Sequence, residues 1–183
     1  MRRGRNLTVP GWTGSGPDHW QSLWERARPE IGRVEMPDWE RPELEAWVTS
    51  LEAALAEGPP AILAAHSLGC LAVVHWAVRS GGEDATARVR AALLVAPPDA
   101  ERDDAPPEIA GFAPIPREPL PFESVLVASA TDPWIEPDRA RDLARAWGSR
   151  FVDAGDAGHL NTDAGFGPWP EGEALLDELA TAR

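Results

Sequence analysis

Six short apolar runs recur along this chain, most of them separated by stretches with helical spacing. The runs are "NLTV" (Asn6–Val9), the weaker "RVEM" (Arg33–Met36), "AILAA" (Ala61–Ala65), "AALLVA" (Ala91–Ala96), "SVLVASA" (Ser124–Ala130) and "RFVDA" (Arg150–Ala154). "DHWQSLWERAR" reads as a helix capped near Pro17 and Asp18. "PELEAWVTSLEAALAEG" lines Leu44, Trp47, Val48, Leu51 and Leu55 along one helical face and stops at Gly58. "LGCLAVVHWAV", "EPDRARDLARAWG" and the closing "EGEALLDELATA" supply three more helices. Strands alternating with helices of this length build right-handed βαβ units. The expected fold is therefore α/β, a mostly parallel six-stranded sheet flanked by helices. At 183 residues, positions 1–183 form one domain with room for a real core. Pro97–Phe122, rich in proline and acidic residues, is too long for a routine connection and has the length of a lid, a binding loop or a flap.

The third apolar run ends in a hydroxyl. In "AILAAHSLGCLAVV", Ser67 falls at the joint of a buried strand and a buried helix. A nucleophile at the tip of such a turn needs small residues two before and two after it, the logic of the G-x-S-x-G elbow. Gly69 meets that need, while Ala65 replaces the first glycine with a single methyl. The turn also puts Ser67 at a helix N-terminus, which favours developing negative charge. By itself the string describes a helix-capping serine equally well.

A serine nucleophile needs a base, and the base needs an orienting carboxylate. Asp132 lies just beyond the fifth run, in "TDPW", where its ordinary role would be to cap a turn with Pro133. His159 lies in the glycine-rich loop after the sixth run. Each alone is commonplace; all three, in the order Ser, Asp, His at strand C-terminal ends, match the α/β-hydrolase arrangement. His19, His66 and His75 are poorer bases, and His75 reads as a satisfied core residue. An oxyanion needs two backbone donors, expected from the amides of Leu68 and Trp12, the latter in "PGWTGSGPDHW". Gly11, His19 and Trp134 are the candidate substrate-binding residues. Trp12, Trp20, Trp134 and Trp169 fall in segments that should converge on the same edge, either walling an apolar pocket or packing as ordinary core.

Composition removes other chemistries. The formal net charge of -13 repels phosphate backbones, so nucleic acid is not an expected partner. There is no lysine, which excludes Schiff-base chemistry and a Walker-type phosphate loop. Cys70 is the only cysteine. The histidines lack ligand spacing, and His159 with Asp163 would make a thin metal site, so neither metal nor other cofactor is expected. No apolar run is long enough for a membrane, and the basic start "MRRGR" has no hydrophobic segment behind it, so the expected location is the cytoplasm.

With these residues in view, the chain resembles the small serine hydrolases of the α/β-hydrolase superfamily, bacterial esterase-like proteins related to the animal retinoblastoma-binding serine hydrolase. The resemblance runs nearly end to end, through "VPGWTGSGPDHWQSLWE", "AHSLGCLA", "FAPIPREPLPFESVLVASATDPW" and "DAGHLNTDAGFGPWPEG". It implies a compact α/β-hydrolase fold without a large cap, a triad of Ser67, Asp132 and His159, and esterase-type activity. One departure touches the oxyanion loop, where Pro10-Gly11 stands in place of the His-Gly of many α/β-hydrolases. Three readings follow: hydrolysis of small short-acyl esters, an amide or aminopeptidase-like hydrolase, and a binding or scaffold protein that keeps the triad as a relic. The expected partner is a small ester or amide; a protein partner has no support in the sequence.

Overall fold

Residues 5–181 are described in the computed structural model; the basic start through Gly4 and the last two residues lie outside them. The chain order is β1 (Arg5–Val9), α1 (Trp20–Ala27), β2 (Ile31–Arg33), α2 (Leu44–Ala56), β3 (Ala61–His66), α3 (Leu68–Ser80), α4 (Gly82–Arg88) and β4 (Val89–Val95). After these come α5 (Pro107–Ala110), β5 (Glu123–Ala128), α6 (Pro137–Trp147), β6 (Arg150–Asp153), a 3-10 turn (Thr162–Ala164) and α7 (Pro170–Thr181). The six strands form one sheet in the order β2-β1-β3-β4-β5-β6. Every pairing is parallel, a step beyond the "mostly parallel" expectation.

The central strands are apolar without interruption because both faces of the sheet are covered. Successive side chains split between the two faces, as the pleat requires. Leu63 and Ala65 of β3 join Trp47, Leu51, Leu71, Leu143 and Trp147 on the side of α2, α3 and α6. Ile62 and Ala64 join Trp20, Trp24, Leu176 and Leu179 on the side of α1 and α7. Removing a side chain such as Leu63 from water contributes roughly 1.5–3 kcal/mol. No cap domain interrupts the alternation among the described residues.

The strand order reverses direction once. From β1 the chain moves outward to β2, then returns across β1 to build β3 and the rest. The helices that follow β1 and β3 therefore lie on opposite faces, and a crevice opens between the C-terminal ends of these strands. The site is built there.

Several elements depart from the sequence reading. Pairing of β2 covers Ile31–Arg33, while "RVEM" contributes only Arg33 to it. The Val34 amide still reaches Thr8 O at 2.9 Å. Val34 and Met36 bury like alternate strand residues, but Pro37 lies one residue on and ladder pairing has already ended. The first helix is capped by His19, not by Pro17 or Asp18. The short α4 buries only Ala85, so it carries no apolar stripe by which it could be read. Within 97–122 a helical turn, α5, forms, and Ile109, Phe112, Ile115, Leu120 and Phe122 are all buried in the core.

Candidate active site

Ser67 joins β3 to α3 with φ 52° and ψ -125°, a left-handed backbone that costs an L-residue on the order of 1–3 kcal/mol. Its amide donates to Val95 O at 2.9 Å, which holds the turn to the neighbouring strand. No side chain caps α3; the Cys70 amide turns back to Ser67 O at 2.9 Å. Two glycines make this geometry possible. A methyl on Gly69 would come within 2.3 Å of Val9 O and 2.7 Å of Pro10 O, because the first turn of α3 lies against the end of β1. A methyl on Gly11 would fall 2.7 Å from Ser67 Cβ and 3.1 Å from the Leu68 nitrogen. The loop after β1 thus touches the serine turn directly. At Ala65 the methyl is accommodated, fully buried in the core.

The loops after β5 and β6 bring two more side chains to the serine. Ser67 Oγ lies 2.9 Å from His159 Nε2. On the other side of the ring, Nδ1 lies 2.9 and 3.0 Å from the two Asp132 oxygens. A carboxylate only accepts, so the ring carries its proton at Nδ1 and accepts the serine hydroxyl at Nε2. Asp132 Oδ1 also accepts the Trp134 amide at 2.9 Å, so turn capping and ring orientation are done by one carboxylate. The Asp132 side chain is fully buried.

Two buried donors secure the histidine loop from behind. His66 Nε2–H donates to the carbonyl of His159 at 2.9 Å, and Trp20 Nε1–H donates to the next carbonyl, Leu160, at 3.0 Å. Burial, then the charges of His159 and His19, hold the His66 pKa far below the usual histidine range, so the ring is neutral and this Nε2–H is its single donor. Ser129 and Thr131 tie the two loops together, accepting the amides of Ala157 at 2.9 Å and Gly158 at 3.0 Å. The segment after β4 braces the aspartate loop: the Asp99 amide donates to Trp134 O at 2.9 Å and Arg102 donates to Pro133 O at 2.6 Å.

The cleft above Ser67 has a volume of about 400 Å³. Its walls include Trp12, Trp134, His19, His66 and Ile109, with Asp163 at the exposed rim. The Trp12 and Trp134 rings meet edge to face at 6.5 Å, and Trp12 Nε1 is anchored on Glu40 O at 3.1 Å. Neither the Trp12 amide nor the Leu68 amide has a hydrogen-bond acceptor among the described residues.

The residues singled out in the sequence fall into distinct places. Ser67, His159 and Asp132 meet in one hydrogen-bonded row. Trp12, Trp134 and His19 line the cleft. Gly11 does not; it lies behind the serine turn, where its lack of a side chain lets the loop approach. The Leu68 side chain is buried, leaving only its amide at the turn. Trp20 and Trp169 belong to the core on the α1 side, not to the cleft wall. His75 Nε2–H donates to Phe112 O at 2.9 Å, and the residue is buried. Missed in the sequence were the tethers from His66 and Trp20, and the part taken by Asn161, Thr162 and Asp163 in lining the cleft. The clue for His66 was its position beside the Ser67 turn at a strand end. Among the described residues no three His, Cys, Asp or Glu side chains are grouped to hold a metal, and no helix is long and apolar enough to cross a membrane.

A six-stranded parallel sheet with a serine elbow at its switch point defines an α/β-hydrolase. The chain belongs to the serine hydrolase family, whose model matches residues 6–178. A YdeN-like hydrolase from Pectobacterium atrosepticum is 34% identical, with a TM-score of 0.85 over 98% of this chain and 91% of that one. The ydeN gene product of B. subtilis is 18% identical, with a TM-score of 0.73 over 98% of this chain and 100% of its own. The RedJ thioesterase of Streptomyces coelicolor, also 18% identical, shares the fold at a TM-score of 0.61 over 98% of this chain and 90% of its own. No curated protein matches the sequence.

Proposed function

We propose that this hydrolase cleaves small esters with short acyl groups through an acyl-enzyme on Ser67. The observation that carries the reading is the row Ser67 Oγ, His159 Nε2 and Nδ1, Asp132 carboxylate, with 2.9 Å links, opening on the cleft. His159 Nε2 takes the hydroxyl proton as Oγ attacks the ester carbonyl carbon. Asp132 holds the Nδ1 proton and stabilises the imidazolium that forms. The carbonyl π electrons move to oxygen, and this oxyanion accepts from the Leu68 and Trp12 amides, which have no other acceptor. Collapse expels the alcohol, which takes the proton from His159 and leaves the acyl group on Ser67. Water repeats the sequence, with His159 as base, and releases the acid.

The size of the substrate follows from the walls. Of the large apolar side chains in 97–122, only Ile109 lines the cleft; Phe112, Ile115, Leu120 and Phe122 are spent on the core. Nothing else there extends an apolar trough for a long chain. The test is covalent labelling by a fluorophosphonate probe with turnover of p-nitrophenyl acetate and butanoate, beside a panel of aminoacyl amides. Ser67→Ala should abolish labelling and lower ester turnover by about 10⁶. Labelling that survives in the variant, or faster cleavage of amides than of esters, would overturn the reading.

A further inference from the structure

One nitrogen of the His19 ring has a partner and the other does not. Just ahead of α1, Nδ1 accepts the Gln21 amide at 3.2 Å. An accepting Nδ1 carries no proton, so the neutral ring has its single N–H at Nε2. That nitrogen is buried and has no hydrogen-bond partner. The residue is only 5% exposed, yet it forms part of the cleft wall. A buried donor without an acceptor is costly in any folded protein, and most are paired.

No neighbour takes this proton in an N–H···O or N–H···N hydrogen bond. The nearest ring, His66, lies 4.8 Å away between centroids and is inclined by 62°, an edge contact and not an N–H···N bond. His66 in turn stands 4.9 Å from the ring of His159, so the free N–H is two ring contacts from the base. His19 stays neutral under ordinary conditions, because burial, then Arg33, then His159 lower its pKa to about 4. Helix α1 holds the ring in place, with Gln21 donating to Ala64 O at 2.8 Å on β3.

We propose that His19 Nε2–H is a specificity donor, and that the preferred substrate carries a neutral oxygen acceptor (ether, hydroxyl or carbonyl) close to the scissile ester. The proposal rests on the ester-hydrolase reading above and adds to it what the substrate must present. A neutral oxygen is favoured over a carboxylate by the rest of the wall. It includes the Asp163 carboxylate and no arginine, so an anion would lose its hydration without gaining a counter-charge. Arg33, whose charge reaches His19, is ion-paired to Glu25 at 3.0 Å and does not line the cleft.

The experiment compares matched esters that differ by one oxygen. On the acyl side these are p-nitrophenyl butanoate against methoxyacetate, and pentanoate against 4-oxopentanoate; on the alcohol side, butyl against 2-methoxyethyl acetate. Each kcat/KM is divided by the hydroxide rate of the same ester, to remove intrinsic reactivity. The oxygen-bearing member of at least one pair should be preferred about tenfold, the worth of one well-made hydrogen bond. His19→Asn keeps an acceptor for the Gln21 amide and removes the distal N–H, and should bring that ratio close to one. His19→Ser, with a good helix-capping side chain, serves if the asparagine variant folds poorly. A wild-type preference below twofold in every pair would overturn the proposal. So would a preference that survives in the folded variants, since His19 would then only pack and cap. Failure of the hydrolase reading is separately visible, as parent-ester turnover that is absent or persists in Ser67→Ala, and it would overturn both.

Discussion

His66 Nε2–H and the carbonyl of His159 are joined by a 2.9 Å hydrogen bond across 93 positions of sequence. Since His66 immediately precedes Ser67, this bond fastens the histidine loop to the residue next to the proposed nucleophile. Trp20 adds a second bond to the following carbonyl at 3.0 Å. Two successive carbonyls are therefore held by neutral donors while the His159 ring points the other way, to Ser67 and Asp132. His66→Phe and Trp20→Phe keep an aromatic ring and remove the donor. Each should lower kcat by about 10- to 100-fold with a smaller effect on KM, because the proposed base, His159, is displaced and not removed. Steady-state kinetics on p-nitrophenyl acetate check this, and unchanged kcat in both variants would show that the loop holds its place without them.

The carboxylate of Asp132 does two things, and one substitution separates them. Asp132→Asn keeps an oxygen for the Trp134 amide but favours the wrong tautomer of His159. Turnover should fall by about 10⁴, while the unfolding midpoint in urea moves little. An active Asp132→Asn enzyme would mean that another carboxylate orients the base.

Gly69 and Gly11 should fail differently when changed to alanine. At Gly69 the new methyl meets backbone oxygens of β1, 2.3 Å from Val9 O, and cannot be relieved by a side-chain rotation. The expected loss is stability, roughly 1–3 kcal/mol or more. At Gly11 the methyl meets Ser67 Cβ at 2.7 Å, so the serine turn and the Trp12 amide are pushed apart. Here kcat should fall further than stability does. Urea unfolding alongside kcat for both variants distinguishes the two outcomes.

Three buried histidines make stability depend on pH. His19 is lowered from 6.5 to about 4, chiefly by burial; His66 is lowered well below 6.5 and His75 is lowered as well, again chiefly by burial. Below pH 6.5 the unfolded chain takes up protons at these rings that the folded chain refuses. Their contribution is thus whole above 6.5 and is lost as pH falls toward about 4 for His19. Paired carboxylates such as Glu52 and Glu101 add a loss of the same sign only near and below 4.5. Stability measured from pH 7 to pH 5 should fall by up to about 1.4 kcal/mol per unit for each histidine. His66→Phe should remove about one proton from that slope; an unchanged slope would show that His66 is not the group titrating.

Acyl length should have an early optimum. Each methylene that enters an apolar pocket adds roughly 0.8 kcal/mol until the pocket is full. Across acetyl to dodecanoyl p-nitrophenyl esters, kcat/KM should climb over the first few carbons and then decline. A profile still rising at eight carbons or more would reveal an acyl channel beyond the cleft lined by Trp12, Trp134 and Ile109.

What the sequence determined is what local physics can carry. The alternation of apolar runs with helical spacing fixed the parallel sheet, because strands buried on both faces cannot afford polar positions. "AHSLG" announced the elbow, because only small residues fit two places either side of a serine at φ 52°. Residue type, order and placement at strand ends singled out Asp132 and His159, whose side chains meet that of Ser67. Weak signals misled the reading where ladder bonds, not side-chain character, set the bounds, as in β2, and where α4 buried a single alanine. Tertiary structure alone decided the rest. The sequence does not say that His66 would hold the His159 carbonyl, that Trp20 would hold the next one 140 positions away, or that Gly11 would lie behind Ser67 and not in the cleft. Nor does it distinguish Trp12, on the cleft, from Trp169, in the core. These are contacts between segments brought together by the sheet, and a contact at long range leaves no periodicity, no cap and no turn residue in the chain that makes it.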